Sequence, residues 1–369
     1  MDTHTWGDYT NRPHDIKTLA KLIETVTEAS RRRGKLSLFR TWTQTEIDLH
    51  SRKDLFQRLV ETLPAEIRQN TIFSIKRTLT DFWYHQPVNP TLSCQGSERM
   101  IEFECRHEFE GMGIFPAYWG KDSKEAVKYA IRQGVKHMWF WPDAGGWVTP
   151  NYPVILPYVS GFDFWIDANV FQIYRLIWDP EESDEKTALD FGTLALGCEA
   201  GEGVAKILQM SYEACSRIFY TLPFAKRVEW KTISPCWHMP WLGVDPREIE
   251  RVLDTTGESV AELLEESAEG VEWAIKLERE VLRLSANSGA DQATLEQMRN
   301  SAFHLRKFAE LMHAFRNLFC SREENINEVQ ENILRLRDCL GQYKSESNMV
   351  ITEGFEKYLE QLETKVRRA

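Results

Sequence analysis

Between residues 101 and 108 the chain alternates Ile101, Phe103 and Cys105 with Glu102, Glu104, Arg106 and Glu108. That period of two describes one strand with an apolar and an ionisable face. A neighbouring apolar segment contributes Lys76, with Asp81 five residues further on, and an earlier one contributes Arg40. Carboxylates set beside cations divide labour: the carboxylates activate water, and the cations hold an anionic substrate. A guanidinium matches a carboxylate in bidentate fashion, whereas lysine supplies a point charge. The candidate set is therefore Asp81 and Glu108 for proton transfer, with Arg40, Lys76 and Arg106 facing a substrate carboxylate. Trp42, Trp139 and Trp141 lie at presumed strand ends, where an indole can stack on a sugar ring or fill a core. The competing reading of the same pattern is an exposed strand carrying surface salt bridges. His107 reads as a neighbour that orients Glu108 and not as a metal ligand, because no second ligand stands at ligand spacing.

Four segments read as the strands that must position these groups: 35–42 (KLSLFRTW), 71–77 (TIFSIKR), 100–107 (MIEFECRH) and 135–141 (VKHMWFW). Helical patterns over 14–33, 51–63 and 123–133 fall between them, the last with Asp122 as N-cap and Gly134 as its stop. Strand and helix alternating at this spacing make parallel βα units. The connection between Arg77 and Met100 carries Pro87, Pro90 and Gly96 and reads as a long loop, a feature that usually serves function. A further helix is expected over 164–177. Four such units amount to half of a (β/α)8 barrel, in which catalytic groups stand at the C-terminal ends of strands. A half barrel leaves open edges, and no strand precedes the first helix, so the chain is expected to be the C-terminal portion of a longer protein.

Twelve of the thirteen tryptophans lie between Trp6 and Trp241, and beyond Pro240 the sequence turns helical. Asp245-Pro246 with Glu248 reads as a helix start, and amphipathic stretches follow from Ser259, Asp291, Asn325 and Thr352. The expected fold class is α/β: the C-terminal half of a (β/α)8 TIM barrel over residues 1–240, followed by an all-α helical domain over 241–369.

A net charge of −11 argues against a nucleic-acid partner, and the basic run from Arg31 to Lys35 reads as a solvated helix end. Seven cysteines without a CxxC pair indicate neither a disulfide framework nor a zinc site. No stretch approaches the ~18 apolar residues of a membrane span, so a soluble, cytoplasmic protein is expected. Gly145-Gly146 reads as a turn and not as a phosphate loop.

The text IKRTLTDFWYHQPVNP around Asp81, followed by RMIEFECRHEFEG, resembles the family 67 glycoside hydrolases, the xylan α-glucuronidases. That family has a lysine five residues before a catalytic aspartate, then a proline-rich loop, then a glutamate in a strand motif. Lys76, Asp81, Pro87 with Pro90, and Glu108-Phe109-Glu110-Gly111 occupy those positions. DANVFQIYRLIWDP (167–180) is similar to the family's helix after the last barrel strand, and Leu38-Phe39-Arg40 to the strand whose arginine holds the glucuronate. The motif resemblance covers about residues 2–240. It implies removal of α-linked glucuronic acid by an inverting mechanism, with Asp81 and Glu108 as bases, Arg40 and Lys76 as carboxylate ligands, and no metal or cofactor. It also implies a uronic-acid-bearing oligosaccharide as partner and a homodimer through the helical domain. The sequence departs from the family in two places. His85-Gln86 replaces an arginine-glutamate pair before proline. The general acid, a glutamate on the strand before the first helix, has no counterpart nearer than Asp2. Hydrolysis of another glycan, and loss of catalysis with retention of carbohydrate binding, are the alternatives that this departure raises.

Overall fold

The computed structural model describes residues 15–42, 49–79, 82–84, 86–107, 110, 113–142, 163–221, 260–321, 325–346, 359–360 and 363–364. Its first unit is built on four parallel strands in the order β1 (Ser37–Arg40), β2 (Thr71–Lys76), β3 (Glu98–Glu104) and β4 (His137–Trp141). They occupy the four expected segments, each shorter at one or both ends; β3 stops three residues early and also starts two residues earlier. Helix α1 (Ile16–Arg31) precedes β1, α2 (Lys53–Thr62) and the short α3 (Ala65–Gln69) join β1 to β2, and α4 (Gly120–Arg132) joins β3 to β4. Four consecutive parallel strands meet the expectation of a parallel α/β unit. A closed barrel is not present among the described residues.

The register fixes which side chains share a face. Arg40 pairs with Ser74, Lys76 with Glu102, Glu102 with Trp139, and Glu104 with Trp141. Phe39, Phe73, Ile75, Ile101 and Phe103 take the opposite face and are buried. On that face Phe73 meets Phe39 and Phe56 of α2 edge-on, with centroids 5.7 and 5.2 Å apart. Leu19, Ala20 and Ile23 form the buried stripe of α1. The side chain of Asp15 caps α1 by accepting from the Thr18 amide at 2.9 Å. At the other end of α1, Arg31 and Arg32 both bond Glu28, holding its carboxyl down at about 2, so most of this basic run serves a helix end. Helix α4 begins at Gly120, placing Asp122 in its first turn and not at the cap, while Gly134 ends it with φ +78° as expected of a helix stop.

The long connection after β2 is irregular, as its prolines imply, but pinned. Thr78 and Val88 form an antiparallel bridge, the Asn89 amide donates to the Arg77 carbonyl at 2.8 Å, and Pro90–Ser93 form a 3-10 turn. Buried Asn89 also donates to the Thr78 carbonyl at 3.1 Å, and Nε2 of buried His50 lies 3.1 Å from the same oxygen.

The second unit is helical. Its elements include α6 (Asp184–Leu196), α7 (Cys198–Ile218), α8 (Val260–Asn287), α9 (Gln292–Cys320) and α10 (Ile326–Glu346). Helix α5 (Phe164–Trp178) divides between the units, its residues from Ile173 belonging with the sheet. Gly192 and Gly201 sit where α6 crosses α7, and a Cβ on Gly192 would stand 2.7 Å from that of Val204. Arg316 of α9 is fully buried and donates to the carbonyls of Arg217 and Ile218, closing the C-terminal end of α7. Asp291 caps α9 as the sequence predicts. The expected helix start at Asp245-Pro246, the stretch beginning at Thr352, Gly145-Gly146 and the domain boundary at 240/241 lie outside the described residues.

Candidate functional site

Alternation along three strands and the aromatic fourth produces a polar face that is largely buried. Glu102 is its centre, with no exposed surface. Arg40 of β1 donates from Nε to both carboxylate oxygens at 3.0 Å and from Nη2 to Oε1 at 2.5 Å. Ser74 of β2 donates to Oε2 at 3.0 Å, and the indole Nε1 of Trp141 on β4 donates to Oε1 at 2.8 Å. One residue from each of four strands thus meets at a single carboxylate. Trp139 extends the network by donating to Ser74 Oγ at 2.7 Å.

Aromatic rings roof the cations. The Arg40 guanidinium lies 5.1 Å from the Trp141 ring centroid, and the Lys76 ammonium lies 3.8 Å from that of Trp42 and 4.4 Å from that of Phe82. Lys76 and Glu104 are buried, and the side chain of Arg40 is 16% exposed. Tyr84 reaches over the loop to donate to the Glu104 carbonyl at 3.2 Å. Cys105, on the apolar face, has its thiol pushed well above the ordinary range by burial and then by the charge of Glu104.

Of the six predicted site residues, Arg40, Lys76 and Trp141 share this face. Arg106 is buried and belongs to the second unit. Asp81 and Glu108 lie outside the described residues; in sequence they follow the C-terminal ends of adjacent strands β2 and β3 by five and four residues. His107, just before Glu108, is buried at φ +53°, a left-handed backbone unusual for a residue with a Cβ. Its Nδ1 lies 3.5 Å from a carboxylate oxygen of Glu110. Among the described residues, no group of three or more His, Cys, Asp or Glu could hold a metal ion, and no helix is long and apolar enough to cross a membrane.

Glu102 is the functional candidate that the sequence pattern missed. Its alternation with Ile101 and Phe103 placed it on the ionisable face, but no spacing rule reveals that Arg40, sixty-two residues away, is its partner.

No protein-family model matches the chain, and no curated protein matches it. Among solved structures, it resembles a GH138 enzyme targeting pectin rhamnogalacturonan II, with a TM-score of 0.58 and 12% sequence identity. The match covers 93% of this chain and 54% of that one, so the chain spans about half the length of that enzyme. At that identity the likeness shows a shared backbone architecture and the fold alone. It does not single out family 67.

Proposed function

We propose that the chain carries the uronate-recognising part of a glycoside hydrolase site. The reaction is inverting removal of α-linked glucuronic acid, or a related uronic acid, from plant polysaccharide fragments. The observation that carries this reading is the burial of Glu102 and Lys76, with Arg40 only 16% exposed beside them, on one face of a parallel sheet. Buried charges cost several kcal/mol each to desolvate, and simple sheet packing gives no reason to retain Lys76, Glu102 and Glu104 there. Arg40 and Lys76 supply positive charge for an acidic sugar, and Trp141 offers an indole surface beside the guanidinium.

Asp81 and Glu108 act in this reading as bases that orient and deprotonate water. An inverting pair of acid and base stands roughly 6.5–9.5 Å apart so that the water fits between them. The general acid is not assigned to a residue of this sequence. The structural neighbour's target adds pectic fragments to glucuronate-decorated xylan as substrates worth assaying.

Incubation of the chain with glucuronate-decorated xylo-oligosaccharides and with pectic fragments tests the reading. Release of free uronic acid is expected, reduced by about 10²–10⁴-fold in Asp81→Asn and Glu108→Gln. Full turnover in both variants removes those two roles. Uronate binding without release by the wild-type chain assigns it to carbohydrate binding instead.

A further inference from the structure

We infer that Glu102 is a positioning residue for acidic-sugar recognition: it fixes the plane of the Arg40 guanidinium and the edge of Trp141 against which a uronate docks. The inference rests on the functional reading above and deepens it. An arginine side chain has several rotatable bonds and would sample many directions on an open face. Here Nε and Nη2 both engage one carboxylate, and two simultaneous bonds define a plane where a single bond defines only a direction. The plane in turn sets where the remaining guanidinium N–H groups point.

Glu102 is itself held. Ser74 donates to one carboxylate oxygen and Trp141 to the other, and the glutamate sits in the middle of β3 between paired residues Lys76 and Trp139. A group held by three strands cannot follow the arginine, so the arginine follows it. The same carboxylate anchors Trp141 through its indole N–H, so the charge and the stacking surface share one reference point.

Two effects oppose each other when Glu102 loses its charge. Removing a carboxylate makes the face more positive and favours an anion. Replacing an oxygen acceptor by an amide NH₂ sets donor against donor at Arg40 or Trp141 and releases their geometry. Geometry is expected to dominate.

The test measures Kd for methyl glucuronide and for the neutral methyl glucoside in wild type, Glu102→Gln and Ser74→Ala, with circular dichroism to confirm folding. For Glu102→Gln the expected result is about a tenfold or larger loss for the glucuronide, equivalent to about 1.4 kcal/mol. The glucoside, which shares the Trp141 surface but not the guanidinium contact, should show a clearly smaller loss. Ser74→Ala keeps the ion pair and should show a smaller loss with the same acid selectivity, which covers the case in which Glu102→Gln fails to fold. Equal losses for both sugars, or tighter glucuronide binding in Glu102→Gln, overturn the inference while the functional reading stands. Failure of the wild-type chain to bind the glucuronide overturns both.

Discussion

A carboxylate taken wholly out of water must replace its solvation by donors, and Glu102 does so with a guanidinium, a hydroxyl and an indole N–H. Lys76 meets the same demand partly through the faces of Trp42 and Phe82, which accept an ammonium electrostatically without being titratable. In the helical unit the opposite solution operates at His313. Burial, then the nearby Arg335 and Arg316 charges, lower its pKa to about 4, so the ring stays neutral. Its Nδ1 lies 3.3 Å from Ser267 Oγ, and Asn317 lies 3.1 Å from Nε2. Because the folded value lies below the unfolded value of about 6.5, the unfolded chain binds the proton first as pH falls. This contribution to stability is therefore unchanged above pH about 6.5 and is lost progressively between about 6.5 and about 4. Urea denaturation of wild type and His313→Gln across that window should show a shallower decline for the variant. Parallel declines would mean that other groups set the acid sensitivity. The ring keeps some solvent access, so the measured effect falls short of the full linkage slope.

At the scale of elements, sequence legibility followed periodicity. Strands β1 to β3 were readable because Phe39, Phe73, Ile101 and Phe103 recur out of phase with polar residues, and α9 because Asp291 caps it. Helices α6 and α7 were not foreseen. Glycines at 192, 197, 201 and 203 interrupt their apolar patterns and imitate a loop, yet Gly192 and Gly201 are there because the two backbones approach closely. The five-residue α3, squeezed between Pro64 and β2, is too short to show a period. At the site, alternation placed Arg40 and Lys76 on one face, but the identity of their partners depends on register between distant segments.

The glycine argument predicts opposite signs at two helical positions. Alanine in place of a helix-interior glycine normally gains up to about 1 kcal/mol. At Gly341 in α10 nothing lies within 4 Å of the new Cβ, so Gly341→Ala should stabilise by up to about that amount. At Gly192 the new Cβ would meet Val204 Cβ at 2.7 Å and the Gly201 carbonyl at 2.8 Å. Overpacking of that kind costs about 1–3 kcal/mol and outweighs the propensity gain. Thermal melts should therefore move up for Gly341→Ala and down for Gly192→Ala. A rise in both would show that α6 and α7 can separate at little cost.

For the molecule as a whole, the governing quantity is its net charge of −11, which opposes the local cations proposed to recognise an acidic glycan. Arg40 and Lys76 act over a few ångströms, whereas the net field acts over the Debye length, about 30 Å at 0.01 M ionic strength and about 8 Å at 0.15 M. A single uronate presents one charge and encounters little of the distant field once bound. A long oligouronide carries a row of negative charges through it, and its association is slowed by repulsion in the same way that opposite charges accelerate association. Raising ionic strength from about 0.01 M to about 0.15 M should therefore speed association of the oligouronide, while the monosaccharide glycoside shows unchanged or weakened binding. Stopped-flow measurement of both ligands at the two salt concentrations reads the difference directly. Slower association of the long chain in added salt would mean that attraction from the Arg40 and Lys76 face outweighs the global charge. In that case acidic residues elsewhere on the molecule contribute little to substrate encounter, and the polar face alone sets the potential that an incoming polyuronate meets.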